Sequence, residues 1–175
     1  YLMDPKGIRG SVNHTFAGCR LLLERYHTHC RDPMQMLAAE LLAVAVGSHH
    51  GLFDCVGEDR NSGFRHRMTK ENIGYEESRR NFLEQCVSEA ELDRLFSAAV
   101  EELTAVCQRI AGEDGEEYCF QLSLLARLLL SALIEGDRRD TAEFMCSFRA
   151  APAPTNLHEF WEPYLASVEE KLLRF

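Results

Sequence analysis

The chain has 175 residues, of which 46% are apolar and 27% charged, and its formal net charge is −9. This is enough chain to bury a sizeable core as one domain or most of one. The acidic balance excludes a domain that grips duplex nucleic acid through its own basic surface, but not a nuclease whose metal ions supply positive charge where phosphate sits.

The pattern is helical almost throughout. Ser11 or Asn13 caps a first helix running to about His27, with Phe16, Cys19, Leu22, Leu23 and Tyr26 at helical spacing. Asp32-Pro33, a capping residue followed by proline, starts a second. Its apolar residues Met36, Leu37, Leu41, Leu42, Val44, Ala45 and Val46 almost encircle it, so it should be buried, and it ends in Gly47-Ser48-His49-His50-Gly51. From Phe53 to Thr69 the chain is polar and basic, with Arg60, Arg65, His66 and Arg67. This reads as an irregular loop of roughly 15 residues, long enough for a lid or a binding role.

Thr69 is the candidate cap of a third, mostly solvated helix through Glu71 to Glu84. Ser88-Glu89-Ala90-Glu91 is a capping box that opens a fourth, reaching about Ile110. After a break at Gly112 to Gly115, a fifth helix from about Glu117 to Glu135 is expected to be the core helix. A short helix should follow Asp140, and Thr155 or Asn156 should cap a last one anchored by Trp161. No strand pattern and no internal repeat is present, so the expected fold class is all-α.

The longest apolar stretch, Leu122 to Ile134, is broken by Ser123, Arg127 and Ser131. No unbroken run therefore reaches the ~18 residues that cross a bilayer, and no membrane partner is expected. Seven cysteines, at positions 19, 30, 55, 86, 107, 119 and 146, lack CxxC spacing. They predict reduced thiols in a cytoplasmic protein, most of them packed in the core.

Candidate chemistry rests on His14, His49, His50 and Asp137. Imidazole and carboxylate are the ligand types that borderline divalent metals prefer, and two such ions held close together hydrolyse phosphate esters. His14 alone, near a helix start, reads equally as a structural histidine. Neighbouring imidazoles within a helix point about 100° apart and converge poorly. At a frayed end between Gly47 and Gly51, His49 and His50 can converge on one ion or bridge to another, and a structural role for the pair stays open. Asp137 follows an all-round apolar helix, where a carboxylate is costly unless paired or metal-bound.

Asp140, ahead of Thr141, reads as a structural helix cap. Arg138 and Arg139 read as one solvated residue and one partner for an acid. Thr141 lies four residues after Asp137, on the same face of a helix, and either contacts substrate or caps. His27, His29 and His158 read as surface or packing residues, with His66 left open in its basic loop. No GxSxG, P-loop or dinucleotide fingerprint is present.

Three segments, Val12-Asn13-His14-Thr15-Phe16-Ala17-Gly18, Ser48-His49-His50-Gly51-Leu52 and Leu129 through Thr141, together resemble the HD nuclease domain of the CRISPR-associated helicase-nuclease of type I systems. The likeness extends from the first residues to about position 147. It implies an HD-like bundle of about six to seven helices over residues 1–150, with 151–175 leading towards a superfamily 2 helicase. By the same resemblance, His14, His49 and His50 are ligands of one metal and Asp137 of a second, all catalytic through the metals. The implied cofactors are two divalent transition metal ions (Mn, Fe, Co or Ni), with ATP used only by the helicase. The implied reaction is metal-assisted phosphodiester hydrolysis of single-stranded DNA, after a Cascade-type guide-RNA surveillance complex has opened the target.

The chain departs from that pattern in containing no His-Asp doublet and no Gly-Lys after one. Tyr1-Leu2-Met3-Asp4-Pro5 reads as the middle of a longer protein, so the missing ligands are expected upstream. The piece by itself is then expected to bind metal weakly and to have little or no activity. Two other readings compete. One is an HD-type nucleotide phosphohydrolase, which would need a closed pocket and the Arg60–Lys70 basic cluster. The other is a non-catalytic helical domain that recruits a partner.

Overall fold

A computed structural model describes residues 14–51, 63–68, 74–110, 112, 114–146 and 155–174; the side chains of residues 14, 15, 65–67, 146 and 157 are outside the description. The described chain is all-α: α1 His14–Tyr26, α2 Pro33–Ser48, α3 Gly63–Met68, α4 Tyr75–Gln85, α5 Glu89–Ile110, α6 Gly115–Cys146 and α7 Leu157–Leu172. No strand occurs among the described residues. The chain divides into two compact units, Tyr1–Asp137 and Arg138–Phe175.

The first unit is organised around α1 and α2, its most extensively packed pair. Asp32 caps α2, accepting from the amides of Met34 (2.8 Å) and Gln35 (3.0 Å), with Pro33 at the first turn. Ala38, Ala39, Ala43, Ala45 and Gly47 are buried along it. These small residues let α1 approach closely: a Cβ on Gly18 would stand 2.9 Å from Val46 Cγ1. Cys19, fully buried, donates its thiol to the Ala43 carbonyl at 3.0 Å.

Polar groups fasten the neighbouring helices to α1. Arg25 donates to both carboxylate oxygens of Asp93 on α5 (2.7 and 2.8 Å) and to Glu89 (3.0 Å). Tyr26 donates to Asp93 at 2.7 Å, and its ring stacks on Phe96 at 3.7 Å between centroids. On α4, buried Tyr75 donates to Glu24 at 2.6 Å while the Arg20 guanidinium lies 4.4 Å over its ring.

Several local expectations change. Within the stretch read as a loop, residues 63–68 form α3, held by Phe64 and Met68 in a cluster with Phe16, Cys19 and Ala43. Helix α4 begins at Tyr75 after Gly74, whose φ of 64° suits glycine, and Thr69 lies outside the described residues. Ser88 accepts from the Glu91 amide at 3.3 Å, but the Glu91 carboxylate turns to Arg94 at 2.7 and 2.8 Å instead of completing a capping box. Asp114 opens α6, accepting from Glu116 (3.0 Å) and Glu117 (2.9 Å).

The largest correction concerns α6. It does not stop near Glu135 but runs unbroken to Cys146, so Asp140 is inside a helix and not a cap. One glycine costs a helix about 1 kcal/mol. Gly136 stands between Glu135 and Asp137, with Arg138 and Arg139 next, and no proline follows before Pro152. Nor is α6 the core helix. Tyr118, Leu122 and Leu125 pack partly on the cluster of α1, α2 and α5, while Phe120, Leu124 and Leu128 are exposed. As one continuous helix, Gly115 to Met145 is long and apolar enough to cross a bilayer, a test that counting only unbroken apolar runs had missed. Core helices of water-soluble folds meet the same test.

In the second unit Asn156 caps α7, accepting from the amides of His158 (3.1 Å) and Glu159 (3.3 Å). Trp161 is no buried anchor. It is 57% exposed and touches only its helix neighbours among the described rings, Phe160 at 4.9 Å and Tyr164 at 5.6 Å. The cysteines also divide: Cys19 and Cys107 are buried, Cys30 is half-buried, and Cys86 and Cys119 are exposed, all with free thiols; Cys55 and the side chain of Cys146 lie outside the described residues.

Candidate metal centre

Three acid–base side chains converge at the end of α2. The ligand atoms of His49, His50 and Asp137 all lie within 4.8 Å of one another. His49 ends α2 with helical dihedrals (φ −66°, ψ −21°), and the Gly51 amide closes the following turn onto the Ser48 carbonyl at 2.9 Å. This tight exit brings consecutive imidazoles together, with ring centroids 3.9 Å apart and planes inclined by 43°.

His49 is half-buried and oriented by the backbone. Its Nδ1 lies 2.7 Å from the Val46 carbonyl oxygen. A carbonyl can only accept, so Nδ1 carries a proton, and in the neutral ring this is the tautomer whose Nε2 can ligate a metal. A backbone acceptor behind the ring is the partner that metal-ligating histidines usually have, and it fixes both tautomer and aim.

The turn itself is held rigidly. A Cβ on Gly47 would collide with the Phe64 ring and stand 2.8 Å from Cys19 Sγ. Helices α1 and α3 therefore press directly on the residue two positions before His49. The Cys19 thiol is pushed up to about 12 by burial, only partly opposed by a backbone hydrogen bond. It packs as a neutral group and is no thiolate ligand.

Asp137 comes from α6 and is exposed, as is His50. The desolvation argument for Asp137 does not apply, because α6 is not buried around it. What singles it out is its meeting with the two histidines. The set fits a divalent metal: two imidazoles and a carboxylate, one imidazole already aimed, could hold a single ion with positions left for water or substrate.

The other expected site residues fall elsewhere. His14 opens α1, but its side chain is outside the described residues, as is that of His66. Thr141 lies in the second unit, beyond the division at Asp137. His27 pairs with Glu40 at 2.9 Å, and His29 and His158 are exposed. An apolar cavity of about 310 Å³, bounded by Ala17, Gly18, Leu21, Leu22, Phe82 and Leu92 among others, includes none of the three converging residues.

Fold and site together define an all-helical protein with a His-His-Asp cluster, consistent with an HD-like metal-binding helical domain and a metal-dependent hydrolase. No protein-family model, no curated protein and no solved structure matches the chain.

Proposed function

We propose that this chain is the nuclease part of a type I CRISPR interference effector, hydrolysing phosphodiesters of single-stranded DNA with divalent transition metals. The observation that carries the reading is the convergence of His49, His50 and Asp137, residues far apart in sequence, within 4.8 Å. These same residues carry two of the three segments of the family resemblance. Bound metal would polarise the phosphate and lower the pKa of attacking water. His49 presents Nε2 because Nδ1 is committed to Val46, and Asp137 contributes the charge that neutral imidazoles lack.

The resemblance puts His14 with His49 and His50 on one ion and Asp137 on another. Because Asp137 lies within reach of both histidines, these three are placed on one ion here, and a second would need further ligands, for which His14 is the candidate. The openness of the cluster supports a polymeric substrate over a nucleotide, since His50 and Asp137 are both exposed. A strand can lie across such a site, whereas a small nucleotide is held by enclosure. The proposed partners are a superfamily 2 helicase, which alone uses ATP, and a guide-RNA surveillance complex, in the cytoplasm. The exposed apolar side chains of α7, Trp161, Tyr164, Leu165 and Val168, support a packing partner at that end.

The test is incubation of the longest form of the protein carrying this chain with circular single-stranded DNA and Mn²⁺, Co²⁺, Ni²⁺ or Fe²⁺. Cleavage should require metal and be lost in the His49→Ala/His50→Ala variant. Equal cutting by both proteins, or release of phosphate from nucleotides without DNA cleavage, contradicts the reading.

A further inference from the structure

The apolar cavity of about 310 Å³ lies inside the first unit, walled by four helices. Leu21 and Leu22 of α1, Val46 of α2, Phe82 of α4 and Leu92 of α5 make its apolar side. Protein interiors are close-packed and leave few voids larger than a water molecule, so a space of this size is not ordinary packing. It falls in the size range of small-molecule sites, which combine an apolar wall with a few polar groups that orient the guest.

The polar groups here are Ser78 and Arg79, neighbours on α4 that complete the lining. Arg79 is only loosely paired. Its contact with Glu76 is 3.8 Å, whereas Arg20, Arg25 and Arg94 hold their acids at 2.6–2.7 Å. Glu24, the other acid that feels its charge, is already held by Arg20 and by Tyr75, each at 2.6 Å. The half-exposed Arg79 fork therefore keeps donors for a planar anion, set between an apolar wall and solvent.

We infer that this cavity binds a small amphipathic carboxylate, its alkyl chain along the leucines and Phe82 and its head group on Arg79 and Ser78. An apolar cavity of about 150 Å³ holds one benzene molecule, so 310 Å³ accommodates about a dozen carbon atoms, a medium-length chain. One guanidinium balances one negative charge and matches two carboxylate oxygens, which favours a carboxylate over a dianionic phosphate ester. Burial of the chain supplies the affinity, and the arginine selects the head group. The inference is independent of the nuclease reading.

Calorimetric titration of the longest form of the protein carrying this chain with sodium decanoate, below its micelle concentration, tests this. Saturable binding of one decanoate per chain is expected. Octanoate should bind roughly tenfold more weakly, since each buried methylene contributes about fourfold. Arg79→Gln should weaken decanoate binding about tenfold or more, the loss of a charged hydrogen bond, and leave uncharged decanol within about twofold. Arg79→Lys should lose less, which separates charge loss from misfolding. Arg80→Gln, a change of equal charge at an exposed residue outside the lining, should stay within about twofold of the parent, because no ligand contact is removed. Ser78→Phe, which places a ring in the cavity, should abolish binding while circular dichroism stays that of the parent.

No saturable binding by the unsubstituted chain, equal affinity in Arg79→Gln, an equal loss in Arg80→Gln, or full binding by Ser78→Phe overturns the inference. Decylammonium binding as tightly as decanoate does the same, because the cavity would then take a chain without regard to its charge.

Discussion

The two sides of the candidate centre are built in opposite ways. The histidines leave a helix end pressed between α1 and α3, where Gly47 has no room for a methyl group. The aspartate stands on an exposed stretch of α6, where Gly136 beside it has nothing within 4 Å of a built Cβ. One side is fixed by packing and the other by the continuity of a single long helix. Imidazoles need aiming, because only one nitrogen presents its lone pair. A carboxylate offers two equivalent oxygens and tolerates a looser support.

The same substitution on each side should therefore act with opposite sign. Gly47→Ala forces an aromatic ring and a buried thiol apart and should cost about 1–3 kcal/mol, read as a clear fall in melting temperature and weaker metal binding. Gly136→Ala replaces glycine in an open helical position and should stabilise by about 0.5–1 kcal/mol. Equal destabilisation by both would erase the distinction between a packed side and an open one.

Acid sharpens the comparison by loosening the packed side. The Asp93 carboxyl is held down at about 2 by hydrogen bonds from Arg25 and then from Tyr26. Its folded-state pKa lies below its unfolded value, so its contribution is present above about pH 4 and is lost as the pH falls towards 2. A melting curve followed over that window should fall for the parent and fall less for Asp93→Asn. Identical pH profiles would show that this network does not hold α1 to α5.

The mildest probe is chemical. In the native protein a maleimide should label exposed Cys86 and Cys119 quickly and leave buried Cys19 unmodified, as mass spectrometry of the digested product would show. Rapid native labelling of Cys19 would mean that the packing behind Gly47 opens.

Much of this was legible in the residues, and the remainder fails for identifiable reasons. Asp32-Pro33 and the glycines around His49-His50 are local signals, and local signals located α2 and its end. Asn156 announced α7 in the same way. The extent of α6 was not readable, because glycine and aspartate permit a helix end without enforcing one. Helix α3 spans six residues, and tertiary docking of Phe64 and Met68 holds it. The Arg25–Tyr26–Asp93 network joins residues 67 and 68 positions apart, a relation that no periodicity displays. Asp137 was singled out by resemblance and by a burial argument. The resemblance led to a cluster, and the burial argument did not apply.

The central claim is that His49, His50 and Asp137 act together on one ion. Calorimetric titration of the metal-free chain with Mn²⁺ or Co²⁺, beside His49→Ala and Asp137→Asn, tests it directly. Saturable binding of one ion, weakened about tenfold or more by either substitution, is the predicted result, in line with the loss of a direct ligand. Binding that Asp137→Asn leaves unchanged, or no binding at all, would contradict it.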